Sequence, residues 1–281
     1  MKVLAFSADP ALHTEAIAKA NELGEAITVD AASLPDQDTA TLAAAVAQIA
    51  EAENVDLVLL GASKKGKDVG PRAAGLLDWA YAAEVQSLEH GESGWTTTRM
   101  VLSGNSKATY TMGAKAVVTF TAKTFEGLPA GEARPVAASG LEASKVQVTG
   151  TSGGADGDFD LSSATYVVGV GRGFKDQADI KLAEDLAAKL PGGAVGCSRP
   201  IAADLKWLGE EHWIGLSGHE IKPKIYFASG VSGQIQHVAG IRGSKLIVAI
   251  NTNKDAPIFQ VADYGIVGDL YKLLPEIAGQ L

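Results

Sequence analysis

The sequence predicts an α/β protein of two domains. Three observations carry this. Short apolar runs alternate with amphipathic, alanine-rich segments, which is the pattern of parallel βαβ units. The pattern breaks at a polar, glycine-rich stretch, Ser139 to Gly157, and restarts at Ala164. The chain has 281 residues and 32 glycines, enough for two cores joined by many tight strand-to-helix turns. The first domain is placed at residues 1–150, the linker at 139–157 and the second domain at 158–281.

Residues 2–7 read as a first strand. Ala11, Leu12, Ala16, Ala20 and Leu23 then recur at helical spacing, and Ala26–Val29 is a second strand. A helix is expected from Thr39 to Glu51, with Leu42, Val46 and Ile49 on one face. Val55–Gly61 is a buried strand and Arg72–Tyr81 the next helix. Residues 95–121 are rich in Thr, Val and Tyr and read as successive strands, with a turn at Ser103-Gly104-Asn105. In the second domain a strand is expected at Ala164–Gly169. A helix bearing Ile180, Ala183, Ala187 and Leu190 follows it. Further strands are expected at Gly193–Val195, Ile225–Ala228 and Lys245–Ile250.

Composition narrows the function. The chain is 46% hydrophobic and 20% charged, as in a globular protein in water. No apolar run reaches 18 residues, so no transmembrane segment is expected, and the short apolar start does not read as a signal peptide. A net charge of −9 disfavours nucleic acid. The one cysteine, Cys197, allows no disulfide within the chain and fits a reducing, cytoplasmic location. The five histidines show no metal-ligand spacing, so no metal site is expected.

Four polar loops follow apolar strands in the second domain, where parallel sheets collect ligands. Gly169-Val170-Gly171-Arg172-Gly173-Phe174 stands where a dinucleotide-binding loop would. The acidic residue expected after the next strand is missing, and Arg199 in its place leaves a phosphate-bearing nicotinamide cofactor open. In Cys197-Ser198-Arg199-Pro200, Ser198 suits a helix N-cap and Pro200 a first helical turn. Arg199 there opposes the helix dipole, which calls for a nearby anion or electron-rich ring. Cys197 reads as a small core residue. Trp213-Ile214-Gly215-Leu216-Ser217-Gly218-His219 is a connector with few charges. The fourth loop, Gly230 to His237, packs Ser232, Gly233, Gln234, Ile235, Gln236 and His237 into one turn. A helix is expected to begin at Ser232 and Gly233, with free N–H groups facing an anion. Asn251 ends the next strand. Asp269 and Leu270 close the site, with Asp269 alternatively a helix cap. No nucleophile–base pair or hydrolytic carboxylate pair stands out. The residues look suited to hold a cofactor.

The block Gly230–Pro275 closely resembles the C-terminal signature of electron transfer flavoprotein α subunits, through "SGQIQH", "AIN", "APIF", "VADYGIVGDL" and "LLP". "GRGF" at 171–174 and "GCSRP" at 196–200 match that family's upstream flavin motifs. "LLGASKKGKDVGPRAAGLL" at 59–77 and "TRMVLSGN" at 98–105 resemble its first domain. The resemblance implies a nucleotide-binding-like N-terminal domain that packs on a β subunit, and a Rossmann-like, FAD-binding C-terminal domain. It implies that Arg172, Ser198 and Arg199 flank the flavin, and that Ile214, Gly215, Leu216 and Ser217 line its edge with the Ser217 hydroxyl near N5. It also implies that Ser232 to His237 embrace the ring and diphosphate, with His237 toward flavin O2, and that Asn251, Asp269 and Leu270 hold the ribityl–adenosine part. Arg199 and His237 would then supply charge or hydrogen bonds that favour electron uptake. Many relatives carry glutamine-threonine where this chain has Leu216-Ser217, and leucine offers the ring no hydrogen bond.

The implied function is an FAD-binding electron carrier, not a stand-alone enzyme. It would work as an αβ heterodimer with a β subunit that holds AMP or a second FAD. Donors would be the acyl-CoA dehydrogenases of fatty acid β-oxidation or NADH. Acceptors would be a membrane quinone oxidoreductase, a ferredoxin or a reductase. The alternative is a subunit of a flavin-based, electron-bifurcating NADH-oxidising complex.

Overall fold

The computed structural model describes residues 1–102, 104–146 and 161–281. Ser103 and residues 147–157 of the expected linker lie outside the described residues. The chain divides into two compact units, Met1–Thr151 and Ser152–Leu281.

The first unit is built on a six-stranded parallel sheet. Its strands are β1 (Lys2–Phe6), β2 (Glu25–Val29), β3 (Leu57–Gly61), β4 (Ala80–Val85), β8 (Ala116–Phe120) and β9 (Arg134–Val136), in the order β4-β8-β3-β1-β2-β9. All five residues of β3 and of β8 are buried, as expected of strands covered on both faces. The helices are α1 (Pro10–Leu23), α2 (Thr39–Ala52) and α3 (Lys64–Leu77). Each starts at a polar cap: Asp9 accepts from Leu12 N, Asp38 from Ala40 N and Ser63 from Gly66 N. One apolar layer joins α2 and α3 to the sheet, and another joins α1 to its other face. That second layer includes Leu88 and the fully buried Trp95. They belong to a three-stranded antiparallel sheet of β5 (Ser87–Gly91), β6 (Gly94–Val101) and β7 (Ser106–Thr111).

The helix expected at Arg72–Tyr81 starts eight residues earlier, at Lys64, and ends four residues earlier, at Leu77. Three lysines in its first turn oppose the helix dipole and obscure its start in the sequence. Asp78, left-handed at φ 53°, ends the helix and frees Ala80 and Tyr81 for β4. The expected run of strands over 95–121 divides between two sheets: β6 and β7 pair antiparallel, while β8 joins the central parallel sheet.

The second unit holds a five-stranded parallel sheet: β10 (Tyr166–Val170), β11 (Gly193–Cys197), β12 (Ile225–Ser229), β13 (Ile247–Asn251) and β14 (Tyr264–Val267). Its order is β11-β10-β12-β13-β14. Counted from the unit's own first strand this is 2-1-3-4-5, a doubly wound order whose switch point falls between β10 and β12. One core packs α4 (Lys181–Ala188) and α6 (Leu270–Gln280) on the sheet. The other packs α5 (Ile235–Ile241), with Ile214 and Ile258. The helix expected to start at Ser232 starts three residues later, with Gln234 at the cap position. Gly233 explains the delay: at φ +87° it turns the chain left-handed before the helix. A Cβ there would stand 2.2 Å from Ile258 N.

Candidate functional site

The switch point opens a cavity of about 980 Å³, large enough for a sizeable organic ligand. Its walls are the segments that leave the carboxyl ends of β10, β11, β12 and β13. Backbone hydrogen bonds tie these segments together. Gly171 N donates to Ser229 O and Gly173 N to Gly230 O, which pins the first loop to the fourth. Ser198 N donates to Val170 O, and Ile214 N to Cys197 O. The Asn251 side chain donates to Val231 O at 2.9 Å and accepts from Asn253 N at 2.9 Å, holding the exit of β12 against the exit of β13.

Twelve of the residues expected at the site line this cavity: Arg172, Ser198, Arg199, Ile214, Gly215, Leu216, Ser217, Ser232, Gln234, Gln236, His237 and Asn251. Four do not. Gly233 is buried against Ile258 and shapes the turn. Ile235 is half exposed on the first turn of α5. Asp269 caps α6 by accepting from Tyr271 N at 3.0 Å. Leu270 is buried behind the first loop, where its side chain fills the space beside Gly173 and Gly230. Gly173, Pro200, Trp213, Gly230 and Val231 also line the cavity. All five fall inside the four polar loops. Their types advertise no chemistry, so only their adjacency to strand ends marks them.

No Asp or Glu lines the cavity among the described residues, whereas two guanidiniums do, in a chain of net charge −9. Hydroxyls from Ser198, Ser217 and Ser232 and amides from Gln234, Gln236 and Asn251 complete a neutral-to-cationic donor set. Such a set suits an anionic, hydrogen-bonding ligand and fits the diphosphate and ring edge of a flavin nucleotide.

His237 is arranged differently from the sequence expectation. It is 7% exposed, and both ring nitrogens meet protein groups. Nδ1 lies 3.1 Å from Ile214 O, and Nε2 lies 2.7 Å from the hydroxyl of Tyr226. A carbonyl only accepts, so Nδ1 carries the proton, and Nε2 accepts from Tyr226. Burial lowers the histidine pKa to about 4. The imidazole is therefore neutral at pH 7, with its one N–H turned to Ile214 O. Burial also pushes the Cys197 thiol up to about 12, in keeping with a core role.

The glycines of the first loop also have a packing explanation. Gly169 is not in the loop but inside β10, and a Cβ there would stand 2.0 Å from the Tyr226 hydroxyl. At Gly171 a Cβ would meet Gly230 O at 2.3 Å. A 3₁₀ turn at Gln177–Ile180 separates the loop from α4, so the strand does not feed directly into a helix as a nicotinamide-binding loop would.

Comparison with known proteins agrees with this geometry. A family model described as the electron transfer flavoprotein FAD-binding domain matches residues 160–242. A second, the electron transfer flavoprotein domain, matches residues 2–146. YdiR of Escherichia coli (strain K12) is 37% identical over 254 residues, covering 87% of this chain and 80% of that protein. FixB of Escherichia coli (strain 55989 / EAEC) is 36% identical over 230 residues, covering 80% of this chain and 73% of that protein. The chain belongs to the electron transfer flavoprotein family, as an α subunit whose second unit is the FAD-binding domain.

Proposed function

We propose that this chain binds FAD in the switch-point cavity and carries electrons as half of an αβ heterodimer. The observation that carries the placement is the cavity's lining: two arginines, three serine hydroxyls, three side-chain amides and no carboxylate among the described residues. When bound, FAD accepts electrons and passes them on singly or in pairs. The chain's own residues bind and tune. Arg172 and Arg199 supply positive charge toward the diphosphate and the ring. Ser198, Ser217 and Ser232 offer hydroxyls, and Gln234, Gln236 and Asn251 offer amides. Leu216, half exposed at the wall, shields the ring edge without a hydrogen bond.

The first unit is assigned to packing on the β subunit. Donors are dehydrogenases, of the acyl-CoA type in fatty acid β-oxidation, or NADH. Acceptors are a quinone oxidoreductase, a ferredoxin or a reductase. Among the described residues no helix is long and apolar enough to cross a membrane. The single buried cysteine supports a cytoplasmic setting.

The test is to purify the chain with its β partner, record the visible spectrum, and release and count the cofactors. One FAD with AMP supports the plain carrier. Two FAD per heterodimer would move the assignment to a bifurcating complex. Absence of flavin, even after FAD is added, would overturn the reading.

A further inference from the structure

We propose that Tyr226 is a positioning residue for the wall of the FAD cavity, acting through His237 on the carbonyl of Ile214. The inference rests on the reading that FAD occupies this cavity. Tyr226 itself stays out of the cavity. It sits on β12, wholly buried, and its hydroxyl faces the imidazole of α5. The space it fills exists because the neighbouring strand carries Gly169, aligned with Ala228 in the register of β10 and β12.

The chain of contacts has a direction. The Tyr226 hydroxyl donates to Nε2, which leaves the ring proton on Nδ1, and Nδ1 donates to Ile214 O. Ile214 begins the segment Ile214–Ser217, all four residues of which line the cavity. The same segment is held to α5 at two further points. Leu216 N donates to Gln236 O at 2.8 Å, and Gly240 lets the helix approach Gly215, where a Cβ would stand 2.7 Å from Gly215 Cα. The backbone contacts fix how close the segment lies to α5. The peptide that carries Ile214 O is held at both ends: its Gly215 N–H donates to His219 O at 3.1 Å, and its carbonyl accepts from His237 Nδ1 through the side-chain relay. Without the tyrosine hydroxyl, a buried Nε2 lacks its donor. The ring then gains by turning that nitrogen toward another donor, and turning withdraws the Nδ1 donor from Ile214 O.

The experiment uses this chain labelled with ¹⁵N-histidine and assembled with unlabelled β subunit. His237 is assigned by loss of its signal in His237→Asn. In the wild type the ring should be protonated on Nδ1 with a bare, hydrogen-bonded Nε2. In Tyr226→Phe the Nε2 signal should move, the dissociation constant for FAD should rise about 2- to 10-fold, and the reduction potential of bound FAD should shift. Tyr81→Phe is the control. It removes a half-buried hydroxyl bonded to Thr119 in the first unit and should change none of these. A wild-type His237 protonated on Nε2 would overturn the proposal whether or not Tyr226→Phe folds. So would a Tyr226→Phe protein with wild-type histidine signals, FAD affinity and potential. Failure of the wild type to take up FAD would instead refute the assignment of the cavity.

Discussion

Gly169→Ala should be among the most damaging single-methyl changes in the second unit. An added Cβ would lie 2.0 Å from the Tyr226 hydroxyl oxygen, 2.4 Å from Cζ and 2.7 Å from Cε2, whereas ordinary contact begins near 3.4 Å. The ring would have to retreat by more than 1 Å. It has nowhere to go, because β10 is flanked by β11 and β12 and Tyr226 is 0% exposed. Overpacking of this kind costs about 1–3 kcal/mol. Breaking the Tyr226–His237 bond strands two buried polar groups, at about 1–3 kcal/mol more. Replacing glycine in a strand returns roughly 0.5–1 kcal/mol. The net loss should be about 1–5 kcal/mol, against roughly 5–15 kcal/mol for a typical domain. The assay is thermal release of FAD followed by flavin fluorescence, which reads the second unit directly, with urea unfolding alongside. Because the two side chains touch, the double variant Gly169→Ala/Tyr226→Phe should fall short of additivity by about 1–3 kcal/mol. A Gly169→Ala protein within 0.5 kcal/mol of wild type, or a strictly additive double variant, would refute the idea that the missing Cβ makes room for the tyrosine.

Arg199→Ala should lower the reduction potential of bound FAD by roughly 65–130 mV, the loss of one charged hydrogen bond in a one-electron couple. Arg199→Lys should recover part of it, and an unchanged redox titration would remove Arg199 from that role. Unfolding free energy should rise as pH increases from 4 to 6.5. Over that window the unfolded chain protonates His237 and the folded chain, with its histidine lowered to about 4 and facing the neutral Tyr226 hydroxyl, does not. The sign is positive because the unfolded state binds the extra proton, the amplitude is on the order of 3 kcal/mol, and His237→Gln should flatten the slope in urea titrations. His13, also lowered by burial, adds in the same direction and is unaffected by that variant. Asp269→Ala should cost about 0.5–2 kcal/mol of stability as a lost helix cap, while FAD content stays at the wild-type level. Loss of flavin without loss of stability would instead return Asp269 to the binding site.

Much of the site was legible in the residues because the ligand-facing chemistry sits in loops that follow apolar strands. Arg172, Ser198, Arg199, Ser232 and Asn251 are short-range signals, polar groups placed where a buried strand ends, whereas Ser217 lies twenty residues past β11 and is brought to the site by the fold. Asp269 and Gly233 carry equally strong local signals, but theirs are the signals of a cap and a left-handed turn, which sequence alone does not separate from ligand contacts. The shift of α3 toward the N-terminus was hidden for a related reason. Lysines in a first turn contradict the usual helix start, and the serine cap that overrules them is one residue among several candidates.

Periodicity, turn chemistry and contiguous motifs were enough to reveal the two α/β units, the family and the set of polar loops. The surroundings of His237 arise only when the chain is folded. Its charge state and proton position depend on Tyr226, eleven residues back on a strand, on Ile214 in another loop, and on the absence of a side chain at Gly169. Burial and hydrogen-bond pairing are set by which segments meet in space, and a buried histidine takes its tautomer and its pKa from those neighbours.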